Sequence, residues 1–384
     1  MENNSEKKHQ RRVRYKGTHP KTYQAKYKEL NPEKYADDVK HIIEKGNTPA
    51  GMHRPICVDE ILDFFQITPG QIGFDATLGY GGHTLEMLKK LGHKGHIYAV
   101  DQDPIELQKT KERLLNQGYD SDILTIEKLN FSDIDLVALE SGPLNFILAD
   151  LGVSSMQIDN PERGFSYKTE GPLDLRMNPN FGITGAQRLR SMNRLEIEGM
   201  LTENSDEPHA AVISSAIISE YQQGKTILTT TDLQNVIKNA LQFINSSERD
   251  KEIRKACART FQAIRIDINK EYEVLYDFLE KLPDALAPGG RVAILSFHSG
   301  EDRLVKKSFK HFLREGQDVY VETRLGFPLD WGLGSSSTLV YNIAQWAYIS
   351  PFELLCKTYG GSGYDIACAQ SDGPILYELD SNGP

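Results

Sequence analysis

The chain has 384 residues, of which 39% are apolar and 26% charged, and a formal net charge of −10. This composition suits an ordinary folded protein of two or three domains. It carries no run of the ~18 apolar residues a membrane-spanning helix needs, and its acidity weighs against a surface devoted to phosphate contacts. Four cysteines, Cys57, Cys257, Cys356 and Cys368, stand far apart with no Cys-x-x-Cys pair, which indicates neither a disulfide framework nor a zinc site.

The N-terminus has no apolar core of the kind a secretory signal needs, and a cytoplasmic location is expected. From Lys7 to Lys28 there are nine basic residues and no acid. This arm reads either as a solvated tail or as an RNA-backbone arm, with Tyr15, Tyr23 and Tyr27 available to stack on bases. Glu2 and Glu6 argue against a mitochondrial presequence. A helix is expected over Asn31 to Lys45 and a linker over Gly46 to Gly51. Val58 to Phe65 reads as a short helix with Val58, Ile61, Leu62 and Phe65 on one face.

Ile72 to Asp75 then reads as a strand, followed by a turn with Gly79, Gly81 and Gly82 and the start of a helix at His83-Thr84. Such glycines permit positive φ and close approach of backbone to a ligand. The helix beginning there offers N–H groups and a positive dipole end. The next strand, His96 to Val100, runs into Asp101, so the unit has the layout that holds a ribose by its hydroxyls. The sixth position of the glycine pattern is Thr84, which argues against NAD and FAD, while Asp75 before the turn suits a cofactor with an amino-acid group. S-adenosylmethionine is such a cofactor.

Asp101-Gln102-Asp103-Pro104 opens the next helix, Ile123 to Ile126 forms a third strand before Asn130-Phe131, and Phe146 to Leu151 a fourth that includes Asp150. Strands alternating with helices imply an α/β fold with a doubly wound parallel sheet, whose ligands bind outside the carboxyl ends of the strands. Asp75, Asp101, Phe131 and Asp150 all fall near such ends. Residues 161–250 contain no convincing strand and read as a helical insertion, with capping-box spacing at Thr184/Gln187 and Thr231/Gln234. One long helix is expected from the spacing of Phe261, Ile264, Ile268, Tyr272, Leu275, Leu279 and Leu282. Beside that stripe, Arg259, Gln262, Arg265 and Asn269 read as a solvated face. Pro288-Gly289-Gly290 is expected to turn tightly into a fifth strand, Arg291 to Phe297, which leads to His298 and Asp302. After Gly316 the tail has eight acids and two basic residues, Arg324 and Lys357. The organisation expected is an N-terminal extension with linker over 1–50, a first core part over 51–160, the insertion over 161–250, a second core part over 251–315 and an acidic tail over 316–384.

Six segments in this order resemble one family: Asp75 to Thr84, Asp150 to Asp159, Glu162 to Ser166, Gly171 to Met177, Ala258 to Ile266, and Ser296 to Arg303. Together they resemble the RsmH (MraW) family of S-adenosylmethionine-dependent methyltransferases acting on cytosine N4 of small-subunit ribosomal RNA, over roughly residues 50 to 315. The resemblance implies a class I, Rossmann-like methyltransferase core with an all-helical insertion that recognises RNA. It implies cofactor contacts at Gly81, Gly82, His83, Asp101, Phe131, Asp150 and Gln157, to which the glycine-turn reading adds Asp75 and Gly79. The target it implies is a cytidine of the decoding region in 16S ribosomal RNA, within the assembled small subunit. A homodimer is left open, and no membrane or metal is involved. By resemblance the basic arm marks a second subgroup within the family, or else it compensates for a lost basic C-terminal end. Three departures stand out: Gly300 where Leu is usual, Leu175 and Asn178 in place of Met and Asp, and an acidic tail in place of a basic closing run.

Cytosine N4 is a poor nucleophile, so an acceptor must orient the amine and take up developing charge. Asp150 is the first candidate, with Asp174, His298 and Asp302 behind it. Arg163, Arg176, Arg259 and Arg265 are the expected RNA contacts. Rival readings are a cofactor-binding RNA-binding protein without catalysis, a nicotinamide dehydrogenase and a small-molecule N-methyltransferase.

Overall fold

Phe74 in the first strand and Phe146, Ile147 and Leu148 in the fourth are fully excluded from solvent, which requires a strand covered on both faces. The computed structural model describes residues 55–314 and meets that requirement. The basic arm, the helix expected over Asn31 to Lys45, the linker and the acidic tail lie outside the described residues.

Among the described residues there are β1 (Ile72–Asp75), β2 (His96–Val100), β3 (Leu124–Glu127), β4 (Leu144–Asp150) and β5 (Leu286–Leu295). They form one sheet in the order β3-β2-β1-β4-β5, with every neighbouring pair parallel. β1 therefore sits in the middle, between β2 and β4. The helices around it are α1 (Val58–Phe65), α2 (Gly82–Leu91), α3 (Pro104–Asn116) and α4 (Ile134–Ser141). Met87, Leu88 and Leu91 of α2 close over Phe146 and Leu148 in one apolar cluster. Asp103 caps α3, accepting from the backbone N–H groups of Ile105 and Glu106, with Pro104 in the first turn as read from the sequence.

After a short helix α5 (Ser155–Asp159), the insertion builds α6 (Gly185–Ser191), α7 (Arg194–Ser205), α8 (Ala210–Gln222) and α9 (Thr230–Ala240). Its only β feature among the described residues is one antiparallel bridge between Pro172 and Thr229. The capping box at Thr184 and Gln187 forms. The second expected box does not. Thr229 and Asp232 cap α9 instead, because Thr229 has the extended backbone a cap needs while Thr230 and Thr231 already lie in the helix.

The expected long helix is two helices, α10 (Ser246–Asn269) and α11 (Glu271–Ala285), broken at Lys270, whose φ is 55°. The apolar stripe belongs to two cores. Ile253, Cys257, Phe261 and Ile264 of α10 join the core of the insertion. Leu275, Phe278 and Leu282 are buried on α11, whose Phe278 meets the edge of Phe131 beyond β3. β5 is also longer than expected. Pro288-Gly289-Gly290 is a bulge inside it, since Leu144 lies opposite Leu286 but Phe146 lies opposite Arg291. Gly289 provides the positive φ of 76° there. A last helix, α12 (Ser299–Arg314), follows β5.

Candidate active site

The glycine turn is held from below by Asp75. Its Oδ1 accepts from the Thr77 N–H at 3.0 Å and its Oδ2 from the Thr84 hydroxyl, which ties the end of β1 to the first turn of α2. Burial raises the Asp75 pKa; the Thr84 hydrogen bond, His83 and the Thr77 hydrogen bond oppose this. With 1% exposure, Asp75 fastens the turn from inside. The glycines divide in role. A Cβ on Gly81 would stand 2.8 Å from Thr110 and one on Gly82 2.6 Å from Pro55, so packing demands them. Gly79, at φ 48°, has only the Thr77 carbonyl near its missing Cβ, at 3.8 Å, which leaves room for a ligand.

Asp101 stands where β2 ends. Its Oδ2 accepts from the Gly79 N–H and its Oδ1 from the Asp103 N–H, both at 2.8 Å. The carboxylate opens partly to solvent but is closely packed, and desolvation lifts its pKa to about 6, against the two backbone hydrogen bonds. Each oxygen keeps acceptor capacity beyond one N–H, which is the chemistry two ribose hydroxyls require. Phe131 lies beyond β3, half-buried, edge-on to Phe278 at 5.2 Å between ring centres. These residues fit an adenosine-bearing cofactor.

Across β1 from Asp101, Asp150 ends β4. Its backbone N–H donates to the Thr77 hydroxyl at 2.7 Å. Its carboxylate is 30% exposed, with Oδ2 3.6 Å from Nδ1 of the buried His83. So Asp75, Asp101, Phe131 and Asp150 lie at or beyond the carboxyl ends of β1 to β4, as the sequence expects, and Gly79 and His83 follow β1. His298 lies just past β5, its ring 5.9 Å from that of Tyr272. Tyr272 also explains why residue 300 is glycine: a Cβ there would stand 1.8 Å from the Tyr272 hydroxyl.

Other expected site residues have structural partners. Gln157 donates to Asp103 Oδ2 at 2.8 Å and accepts from the Ser154 N–H at 2.9 Å, closing a capping box on α5. Arg163 is 6% exposed. It donates to Asp103 Oδ2 at 2.6 Å and to the carbonyls of Arg176 and Met177, so its guanidinium is held inside the protein. Asp174 and Arg176 pair with each other at 2.7 Å. Arg259 is held between Glu207 and Glu252, and Arg265 by Glu271 at 2.8 and 2.9 Å. The face of α10 expected to be solvated is thus a row of half-buried pairs. Asn269, on the same face, accepts from the Met177 N–H and donates to the Leu175 carbonyl, both at 2.8 Å. It stabilises Leu175 in its left-handed conformation of φ 65°. Asp302 lies on α12 and accepts from Lys306 at 2.7 Å.

The residue that sequence reading missed is Asp103. Its cap role is legible from Pro104, but its second oxygen meets groups 54 and 60 residues away, for which no local pattern exists.

A model of the MraW methylase family matches residues 50–323. Ribosomal RNA small subunit methyltransferase H 2 of Alkaliphilus metalliredigens is 67% identical over 324 residues, covering 84% of this chain and 92% of that protein. Ribosomal RNA small subunit methyltransferase H 1 of Lachnoclostridium phytofermentans is 63% identical, covering 83% and 87%. The protein of that name from Agathobacter rectalis is 60% identical, covering 81% and 89%.

Proposed function

The chain belongs to the MraW methylase family, and from that premise we propose that its site transfers a methyl group from S-adenosylmethionine to N4 of a cytidine in small-subunit ribosomal RNA. The observation that carries this reading is the placement of two carboxylates on either side of the glycine turn. Asp101 ends β2 and Asp150 ends β4, with β1 between them, two interstrand steps or about 10 Å apart. One carboxylate serves the ribose and the other faces the reacting end.

When bound, the cofactor supplies an electrophilic methyl group on a sulfonium. The protein's own part is to bind, orient and accept a proton. Asp101 accepts the ribose hydroxyls, Phe131 covers the adenine, and Gly79 leaves space at the turn. Asp150 accepts a hydrogen bond from the amine, which holds the N4 lone pair toward the methyl group and offsets the charge that builds on nitrogen. Alignment of this kind is worth about 7–11 kcal/mol at best. Asp174, bound to Arg176, and Asp302, bound to Lys306, are weaker candidates than Asp150. His298 stays a candidate for the base-facing side. The target base must leave its stack, at a cost of a few kcal/mol.

The experiment is transfer of tritiated methyl from S-adenosylmethionine to undermethylated small subunits, followed by nucleoside analysis. Label in N4-methylcytidine is the expected result. Asp150→Ala should then lower the rate about 10²–10⁴-fold while calorimetry still detects cofactor binding. Cofactor binding with no label from the wild type would overturn this reading in favour of an RNA-binding protein without catalysis. The finer reading places the reaction on the assembled subunit, in the cytoplasm, at a decoding-region cytidine. Comparing naked RNA with subunits as acceptors checks the first of these, and sedimentation checks the homodimer.

A further inference from the structure

His83 stands in the first turn of α2 and is 8% exposed. Its Nε2 lies 3.0 Å from the carbonyl oxygen of Ile56. A carbonyl has no proton to give, so Nε2 must carry the hydrogen and donate it. A neutral imidazole carries only one ring hydrogen, and its lone pair is therefore left on Nδ1. That atom lies 3.6 Å from Asp150 Oδ2. A buried lone pair facing a carboxylate oxygen is repulsive, and a proton between the two atoms converts the repulsion into attraction. The separation is longer than a hydrogen bond, and such pairs tighten when the reacting complex forms.

We propose that His83 is the terminal proton acceptor of methyl transfer, working through Asp150, a role that rests on the function argued above. The N4–carbon bond forms as the carbon–sulfur bond breaks, and the bonding pair stays on sulfur. N4 then carries one proton too many. That proton moves to the Asp150 carboxylate and from Oδ2 to Nδ1 of His83. The end state is a neutral thioether, N4-methylcytosine, an ionised Asp150 and an imidazolium beside it, whose Nε2–H stays on the Ile56 carbonyl. The proton returns to water on product release. His83 does not touch the base; it keeps Asp150 able to accept.

Among the described residues, the ionisable groups around this pair come from three elements. Asp75 of β1 acts on His83 and is itself held by Thr77 and Thr84. Asp150 comes from β4. On the α1 side stands the Cys57 thiol, whose pKa is pushed up by burial, then by Glu60 and Asp150, so it stays protonated and does not compete for the role.

The test has two arms. In the first, nitrogen-15 resonance of histidine-labelled protein without cofactor reads the tautomer, with His83→Gln and His83→Asn used for assignment. The expected neutral form has its hydrogen on Nε2, and its Nδ1 resonance moves in Asp150→Asn. A neutral form with hydrogen on Nδ1, or an Nδ1 resonance indifferent to Asp150→Asn, would overturn the proposal. This arm keeps His83 in place, so a folding defect in the substituted protein does not decide it. In the second arm, single-turnover transfer is followed against pH. His83→Gln can still donate to Ile56 but cannot take a proton, so the rate at saturating cofactor should fall about hundredfold and lose its acidic limb. An unaltered pH profile, or a loss confined to cofactor affinity, would overturn the role. If the wild type transfers no label, the function reading falls by itself, and the resonance arm still judges the His83–Asp150 pair.

Discussion

Asp101 meets two demands that pull against each other. It must be ionised to accept ribose hydroxyls, yet the packing that positions it disfavours the ionised form and lifts its pKa to about 6. An unfolded aspartate titrates near 3.9, so the folded state binds the proton more tightly than the unfolded state. The residue's contribution to stability is therefore greatest below about pH 4 and declines as the pH rises through 6, a span worth roughly 3 kcal/mol. Cofactor binding runs the other way, because it draws on the ionised form. Calorimetry should show cofactor affinity falling about tenfold from pH 7 to pH 5 in the wild type. Asp101→Asn should bind weakly at both pH values, since its amide points a donor at either the Gly79 or the Asp103 N–H. Equal wild-type affinity at the two pH values would remove Asp101 from the ribose site.

Between elements, one buried ion pair does what no local propensity could. Asp103 is completely buried at the start of α3, and Arg163 reaches it from the beginning of the insertion. Removing one partner of such a pair strands a buried charge, so Arg163→Ala should lower unfolding stability by about 3–5 kcal/mol, read by urea denaturation. A loss below 1 kcal/mol would mean the pair is worth no more than a surface ion pair. The cap of α9 gives a finer comparison. Thr229→Ala should cost about 1 kcal/mol, and Thr231→Ala should be nearly neutral. The sheet and its strand-end acids were legible because both signals are local: period, glycine turn, terminal carboxylate. The register of the α9 cap was not, since Thr229, Thr230 and Thr231 offer the same hydroxyl, and Thr229 is left to cap because the Thr230 hydroxyl donates to the distant Thr169 carbonyl. Nor was the break at Lys270, because the apolar spacing runs on through it while the stripe changes from one core to another. The ion-paired face of α10 was hidden for a similar reason, as Glu207 is 52 residues from Arg259.

Over the whole molecule the question is where an acidic chain finds the cations to hold ribosomal RNA. The four arginines that the sequence nominates are each paired: Arg163 with Asp103, Arg176 with Asp174, Arg259 with Glu207 and Glu252, and Arg265 with Glu271. A guanidinium already neutralised by a half-buried carboxylate has little to gain from a phosphate, since it must give up one strong interaction to make another. The nine basic residues between Lys7 and Lys28 have no acid among them. They are the densest cationic run in a chain of net charge −10. Deleting residues 1–28 should leave cofactor affinity and the unfolding midpoint unchanged, while RNA binding weakens and its salt dependence flattens. The log–log slope should fall by about 0.7 for every single-stranded phosphate that the arm no longer neutralises. Filter binding of the small-subunit RNA across a salt series reads this directly. A slope that survives the deletion would return the phosphate binding to the rest of the chain. The paired arginines would then have to exchange carboxylates for phosphates on binding, and charge reversal at Arg176 and Arg265, rather than deletion of the arm, would become the perturbation that moves the slope.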